Sequence, residues 1–142
     1  MIAITGAGEY LDIIRPYDEI LLNKLKDDPY VLCFPTAAGL ESKDRIQYWL
    51  DLGNDHFTKL NVNHKSIRAL NVDDYNKPET LAEIEKANFI YFSGGNPNHL
   101  YDTLSSSLAW EKLLTIHNSG GILAGCSAGA MIMGEKMNKG KG

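Results

Sequence analysis

The apolar run Ile122-Leu123-Ala124 passes without a spacer into Gly125-Cys126-Ser127-Ala128-Gly129-Ala130, and this abrupt change constrains the chain more than any other feature. A short strand that breaks straight into a helix, with small residues around one reactive side chain, lifts that side chain clear at the carboxyl edge of a sheet. Bulky residues at 125 or 129 would clash across so tight a turn, and glycine tolerates strained dihedrals. The helix-compatible stretch 128–133 supplies the second half of the unit. Ser127 is therefore a candidate nucleophile. The competing reading is a glycine-eased connection around a buried, inert serine.

The rest of the chain fits such a unit. Short apolar runs at 2–5, 30–34, 66–72, 89–92 and 122–124 alternate with helical patterns at 13–25, 43–52, 78–86, 98–104 and 108–118. Strands separated by helices of about ten residues imply right-handed crossovers and a parallel sheet covered on both faces. The expected fold is an α/β three-layer sandwich with a mostly parallel sheet. Pro78 and Pro97 suit first helical turns, where a missing N–H costs little. No repeats, linkers or low-complexity tracts interrupt the pattern, so residues 1–142 read as a single α/β domain.

Composition narrows the function classes. With 44% hydrophobic residues the chain can build a sizeable core. A net charge of −4 without Lys/Arg clustering argues against a nucleic-acid partner. Apolar runs of only a few residues fall far short of the roughly 20 needed to span a bilayer, and the first residues lack a charged leader segment, so no membrane partner and a cytoplasmic location are expected. Cys33 and Cys126 show neither metal-ligand spacing nor a disulfide framework, which suits a reducing compartment.

In such sheets the ligand crevice opens at the carboxyl ends of the strands. Three glycine-bearing turns fall there: Gly6-Ala7-Gly8, Ser93-Gly94-Gly95-Asn96 and the turn at Ser127. Acyl transfer through serine needs donors aimed at the developing oxyanion, and backbone N–H groups are already oriented for it. Gly94 or Gly95 can supply one, and Ala128, directly after the nucleophile, the other. Gly6-x-Gly8 is not a dinucleotide fingerprint, because position 11 is leucine where a third glycine is required. No cofactor and no metal are expected.

Phe92-Ser93-Gly94-Gly95-Asn96-Pro97-Asn98-His99-Leu100, followed about thirty residues later by Gly125-Cys126-Ser127-Ala128-Gly129-Ala130, resembles peptidase family S51, which includes the aspartyl dipeptidase peptidase E and the cyanophycinases. Thr5-Gly6-Ala7-Gly8 and Pro35-Thr36-Ala37-Ala38 also resemble family loops, so the similarity covers nearly the whole chain. The resemblance implies a flavodoxin-like, class I glutamine amidotransferase-like fold and a serine peptidase acting through an acyl-enzyme. It makes Ser127 the catalytic nucleophile, Gly95 and Ala128 the oxyanion donors, and Asn96 a substrate-binding residue. The implied partner is a small, Asp-containing peptide, with a second copy of the chain as a further candidate.

One departure stands out. A serine needs a base, usually His, oriented by a carboxylate, and family members place theirs downstream of the nucleophile. Here the chain ends fifteen residues after Ser127 with no histidine in between. The expectation is a C-terminally shortened member without its last strands and catalytic His. His56, His64, His99 and His117 all come earlier, and none is assigned as the base. Lys43 and Arg45 read as solvated charges before they read as partners for an acidic substrate. Two other functions compete: a cysteine-dependent, amidotransferase-like or thiol protein using Cys126, and an inactive scaffold with an open sheet edge. An α/β-hydrolase is excluded because its acid and His would have to follow the serine.

Overall fold

The computed structural model describes residues 1–136; the stretch 137–142, expected from its sequence to be a loop, lies outside the described residues. Five strands, β1 (Ile2–Thr5), β2 (Tyr30–Phe34), β3 (Asn63–Ser66), β4 (Phe89–Phe92) and β5 (Ile122–Cys126), form one sheet in the order β1-β5-β4-β2-β3. Every pairing is parallel. The fold is thus the α/β sandwich expected from the alternating pattern.

The three central strands are apolar almost throughout because both of their faces are covered. Alternate side chains separate cleanly. Leu32, Phe34, Ile90, Phe92 and Leu123 enter one core with Tyr75, Ile84, Leu100, Leu104, Leu113 and Ile116. These come from α3 (Val72–Asn76), α4 (Pro78–Lys86), α5 (Pro97–Ser105) and α6 (Ala109–Asn118). Val31, Cys33, Phe89, Tyr91, Ile122, Ala124 and Cys126 enter the other core with Leu22 and Phe57, from α1 (Arg15–Leu22) and α2 (Lys43–Lys59). Each fully buried Leu or Phe contributes about 1.5–3 kcal/mol, so the two faces hold the sheet jointly.

Three elements depart from the sequence expectation. Helix α2 runs on through Gly53 to Lys59. A Cβ at Gly53 would lie 3.2 Å from Cys33 Cβ and 3.1 Å from Ser66 Oγ, so this glycine lets the helix lie close to the sheet without ending it. Strand β3 occupies Asn63–Ser66, ahead of the expected 66–72. The ladder stops where Ile67 N–H bonds to the Cys33 carbonyl, Ala69 N–H then turns back to the Ile67 carbonyl, and Asn71 caps α3 by accepting from Asp74 N–H. Helix α1 begins at Arg15, with Pro16 in its first turn, two residues later than the apolar pattern indicates.

Candidate active site

Strand β5 ends at Cys126 and a short helix, α7 (Ala128–Met131), starts at Ala128, so Ser127 alone makes the connection. Its backbone adopts φ 51° and ψ −111°. Such a conformation is uncommon outside glycine and costs on the order of 1–3 kcal/mol unless the surroundings impose it. Here they do. Ser127 N–H donates to the Thr5 carbonyl at 3.1 Å, and its own carbonyl accepts Met131 N–H at 2.9 Å. The side chain is exposed while Cys126 and Ala128 on either side are buried.

The flanking glycines are required by neighbouring backbone. A Cβ on Gly125 would come within 2.3 Å of the Gly129 carbonyl, and one on Gly129 within 2.2 Å of the Phe92 oxygen. Helix α7 therefore lies directly over the end of β4, which brings the β4 turn to Ser127. A Cβ built on Gly94 would lie 3.4 Å from Ser127 Cβ and 3.8 Å from its Oγ. Gly95 has φ +144°, and a Cβ there would fall 2.4 Å from the Ala37 carbonyl group, which fixes glycine at that position twice over.

The backbone donors differ in availability. Gly94 N–H, expected as an oxyanion donor, is already committed to Glu9 Oε1 at 2.9 Å; it faces into the protein, and that assignment is corrected. Among the described residues Gly95 N–H and Ala128 N–H have no hydrogen-bond partner. Asn96, expected in the substrate pocket, spends its side-chain oxygen on α5, accepting His99 N–H at 3.1 Å. An N-cap of this kind is worth about 1 kcal/mol, which accounts for the Asn without a substrate.

Glu9 was not singled out from the sequence, where an acidic residue after a glycine turn reads as surface charge. It is only 8% exposed. Its second oxygen accepts the Cys126 thiol at 2.9 Å. Burial first, and the Glu9 carboxylate next, push the Cys126 thiol above its ordinary range. A reactive cysteine needs an accessible thiolate and an electropositive setting. Cys126 has neither, so the thiol alternative meets the wrong geometry.

Each histidine has a partner of its own. His56 Nε2 sits 2.7 Å from Asp18 Oδ2 inside the protein, and His99 Nε2 lies 2.7 Å from the Leu70 carbonyl. His64 Nδ1 is 2.9 Å from the Val62 carbonyl, and His117 Nδ1 is 3.4 Å from the chain's amino group. Lys43 is exposed, and Arg45 pairs with Glu41 while its guanidinium lies 4.9 Å from the centre of the Tyr48 ring. Among the described residues no three His, Cys, Asp or Glu side chains group as metal ligands would. No helix among them is long and apolar enough to cross a membrane.

Solved structures of other proteins share this fold. The chain has TM-score 0.88 and 38% identity to a peptidase from an acI-B1 Actinobacterium, covering 93% of this chain and 55% of that one. It has TM-score 0.65 and 20% identity to a candidate peptidase E protein from Listeria monocytogenes EGD-e, covering 93% and 60% respectively, a likeness that speaks for the fold alone. The chain thus spans little more than half the length of these proteins. No curated protein matches it in sequence. The model of peptidase family S51 matches residues 1–141, and the chain belongs to that family.

Proposed function

We propose that this chain carries the nucleophile and oxyanion donors of a serine peptidase that cleaves small, Asp-containing peptides through an acyl-enzyme. The observation that carries the reading is Ser127 itself. The surroundings hold this non-glycine residue at positive φ, a strained conformation of the kind that clusters at active sites, and they leave it exposed between two buried neighbours. Family membership supplies the reaction class, and the Asp-containing substrate rests on the family resemblance alone.

In this reading Ser127 Oγ attacks the scissile carbonyl carbon. A C–O bond forms while the carbonyl π pair moves onto oxygen. The oxyanion is met by Gly95 N–H, which follows the Gly94 that faces Ser127, and by Ala128 N–H, which follows Ser127 in the chain; among the described residues neither has a hydrogen-bond partner. Collapse re-forms the carbonyl and breaks the C–N bond, with the serine proton delivered to the departing amine. Water then cleaves the ester, releasing the acid and restoring the hydroxyl. The base that carries the proton is not assigned to any residue of this chain, because all four histidines are held by other partners.

Parallel labelling tests the proposal. A fluorophosphonate should form an adduct located by peptide mapping on Ser127 and absent from Ser127→Ala, while iodoacetamide should react slowly with native Cys126. Rapid alkylation of Cys126 together with no phosphonate at Ser127 would overturn it in favour of the thiol reading.

A further inference from the structure

Glu9 belongs to the first glycine turn, yet both of its hydrogen bonds go to the other two. Its partners, Gly94 and Cys126, are 85 and 117 positions away in sequence. Each is the immediate neighbour of a group the proposed reaction uses: Gly94 precedes Gly95, and Cys126 precedes Ser127. The three turns follow β1, β5 and β4, which are adjacent in the sheet, so one buried side chain ties all three turns together.

Burying a carboxylate is expensive unless hydrogen bonds or a counter-charge compensate it. Neither hydrogen-bonding partner of Glu9 is a cation; its oxygens take an N–H and an S–H. A pair of loops that needed only to be packed would be served by an apolar residue at lower cost. What the carboxylate adds is direction. By drawing Gly94 N–H inward it sets the plane of that peptide and thereby the course of the turn into Gly95. By accepting the Cys126 thiol it fixes the end of β5 from which Ser127 projects. A Cβ at Gly94 would stand 3.0 Å from Glu9 Oε1 and 3.4 Å from Ser127 Cβ, so the turn is gripped between the two.

We infer that Glu9 is a positioning residue, clasping the β4 turn and the residue before Ser127 so that Gly95 N–H and the Ser127 hydroxyl keep the separation that acyl transfer requires. The inference rests on the reading of Ser127 as nucleophile. It also explains the cysteine: a small thiol provides the S–H donor beneath the turn without entering the chemistry. Displacing a donor by about 1 Å can cost on the order of 100-fold in rate, so the clasp has a measurable consequence.

Two readouts on the same variants test it. In an amide NMR spectrum, Gly94 N–H of the wild type should be shifted downfield and slow to exchange. Glu9→Ala should lose both properties, and Glu9→Gln, whose side-chain oxygen can still accept that N–H, should keep the slow exchange. In fluorophosphonate kinetics, Glu9→Ala should lower the saturating rate of Ser127 labelling by about 100-fold while leaving the half-saturating probe concentration unchanged, and Glu9→Gln should restore most of the rate. Cys126→Ser, which keeps a donor, should label faster than Cys126→Ala. A Gly94 amide indifferent to Glu9→Ala, or a saturating rate equal to wild type, overturns the role of Glu9 while the nucleophile stands. A wild type that takes no phosphonate at Ser127 overturns both.

Discussion

The carboxyl ends of β4 and β5 and the outer edge of β1 belong to one sheet but are built by opposite rules. At the carboxyl ends backbone meets backbone. Three glycines, at 95, 125 and 129, sit where any Cβ would fall within 2.4 Å of another main-chain atom, and a serine between two of them is held at positive φ. At the β1 edge nothing is so constrained. Among the described residues β1 pairs only with β5, and Ile2 and Ile4 are 47% and 64% exposed. Beside them Ile13, Tyr17 and Ile20 line an open hollow of about 710 Å³. The opposite edge, β3, reads Asn-His-Lys-Ser, the polar character that discourages unwanted pairing. Positions at the first region are thus fixed by contact distance, whereas those at the β1 edge can change at little cost to the fold.

Substitutions should break this contrast in order of size. Gly129→Ala should have the largest effect, because a methyl 2.2 Å from the Phe92 oxygen can be accommodated only by moving α7 off β4. The expected loss is about 3 kcal/mol or more by urea denaturation, with phosphonate labelling of Ser127 abolished. A stable Gly129→Ala protein that still labels would mean the turn is looser than described.

A pH effect of intermediate size comes from Asp74, remote from both regions. Partial burial raises its pKa, but the Lys77 ammonium and Leu70 N–H outweigh that and hold the carboxyl below its ordinary value of 3.8. A depressed acid contributes stability that is fully present above the unfolded value and is lost as pH falls through the folded one. Wild type should therefore lose stability on acidification below about pH 3.8, and Asp74→Asn, already less stable at neutral pH, should lose less. Equal acid sensitivity of the two proteins would remove Asp74 from the account.

The smallest effect belongs to the edge. Ile4→Lys should change stability by no more than about 0.5 kcal/mol, since Ile4 buries little, and should lower the fluorescence of an apolar-surface dye. Marked destabilisation would show that the edge is more tightly packed than its exposure indicates.

What the sequence discloses follows the same division. The alternation of apolar runs and the glycines of the β4 and β5 turns are local signals, and they lead to the sheet and to Ser127. Gly53 misleads because a glycine inside a helical pattern looks like a stop, and only the distance to Cys33 shows that it is a contact. The run 67–72 looks like a strand because its composition is apolar, while the hydrogen bond from Ile67 to Cys33 that ends the ladder is a tertiary fact. Glu9 is hidden for the same reason. Its partners lie 85 and 117 residues away, and nothing local separates a buried acceptor from a solvated charge. Asn96 shows a further kind of local signal, since an Asn before a proline-led helix is a ready N-cap, and its side-chain oxygen does cap α5.

The central claim is that the Ser127 hydroxyl is presented for attack beside two free amide donors, and a crystal structure of the phosphonylated protein tests it most directly. The account predicts a bond from phosphorus to Ser127 Oγ, with one phosphonyl oxygen about 2.7–3.1 Å from both Gly95 N and Ala128 N. Phosphorus on another residue, or a phosphonyl oxygen turned away from both amides, would contradict it.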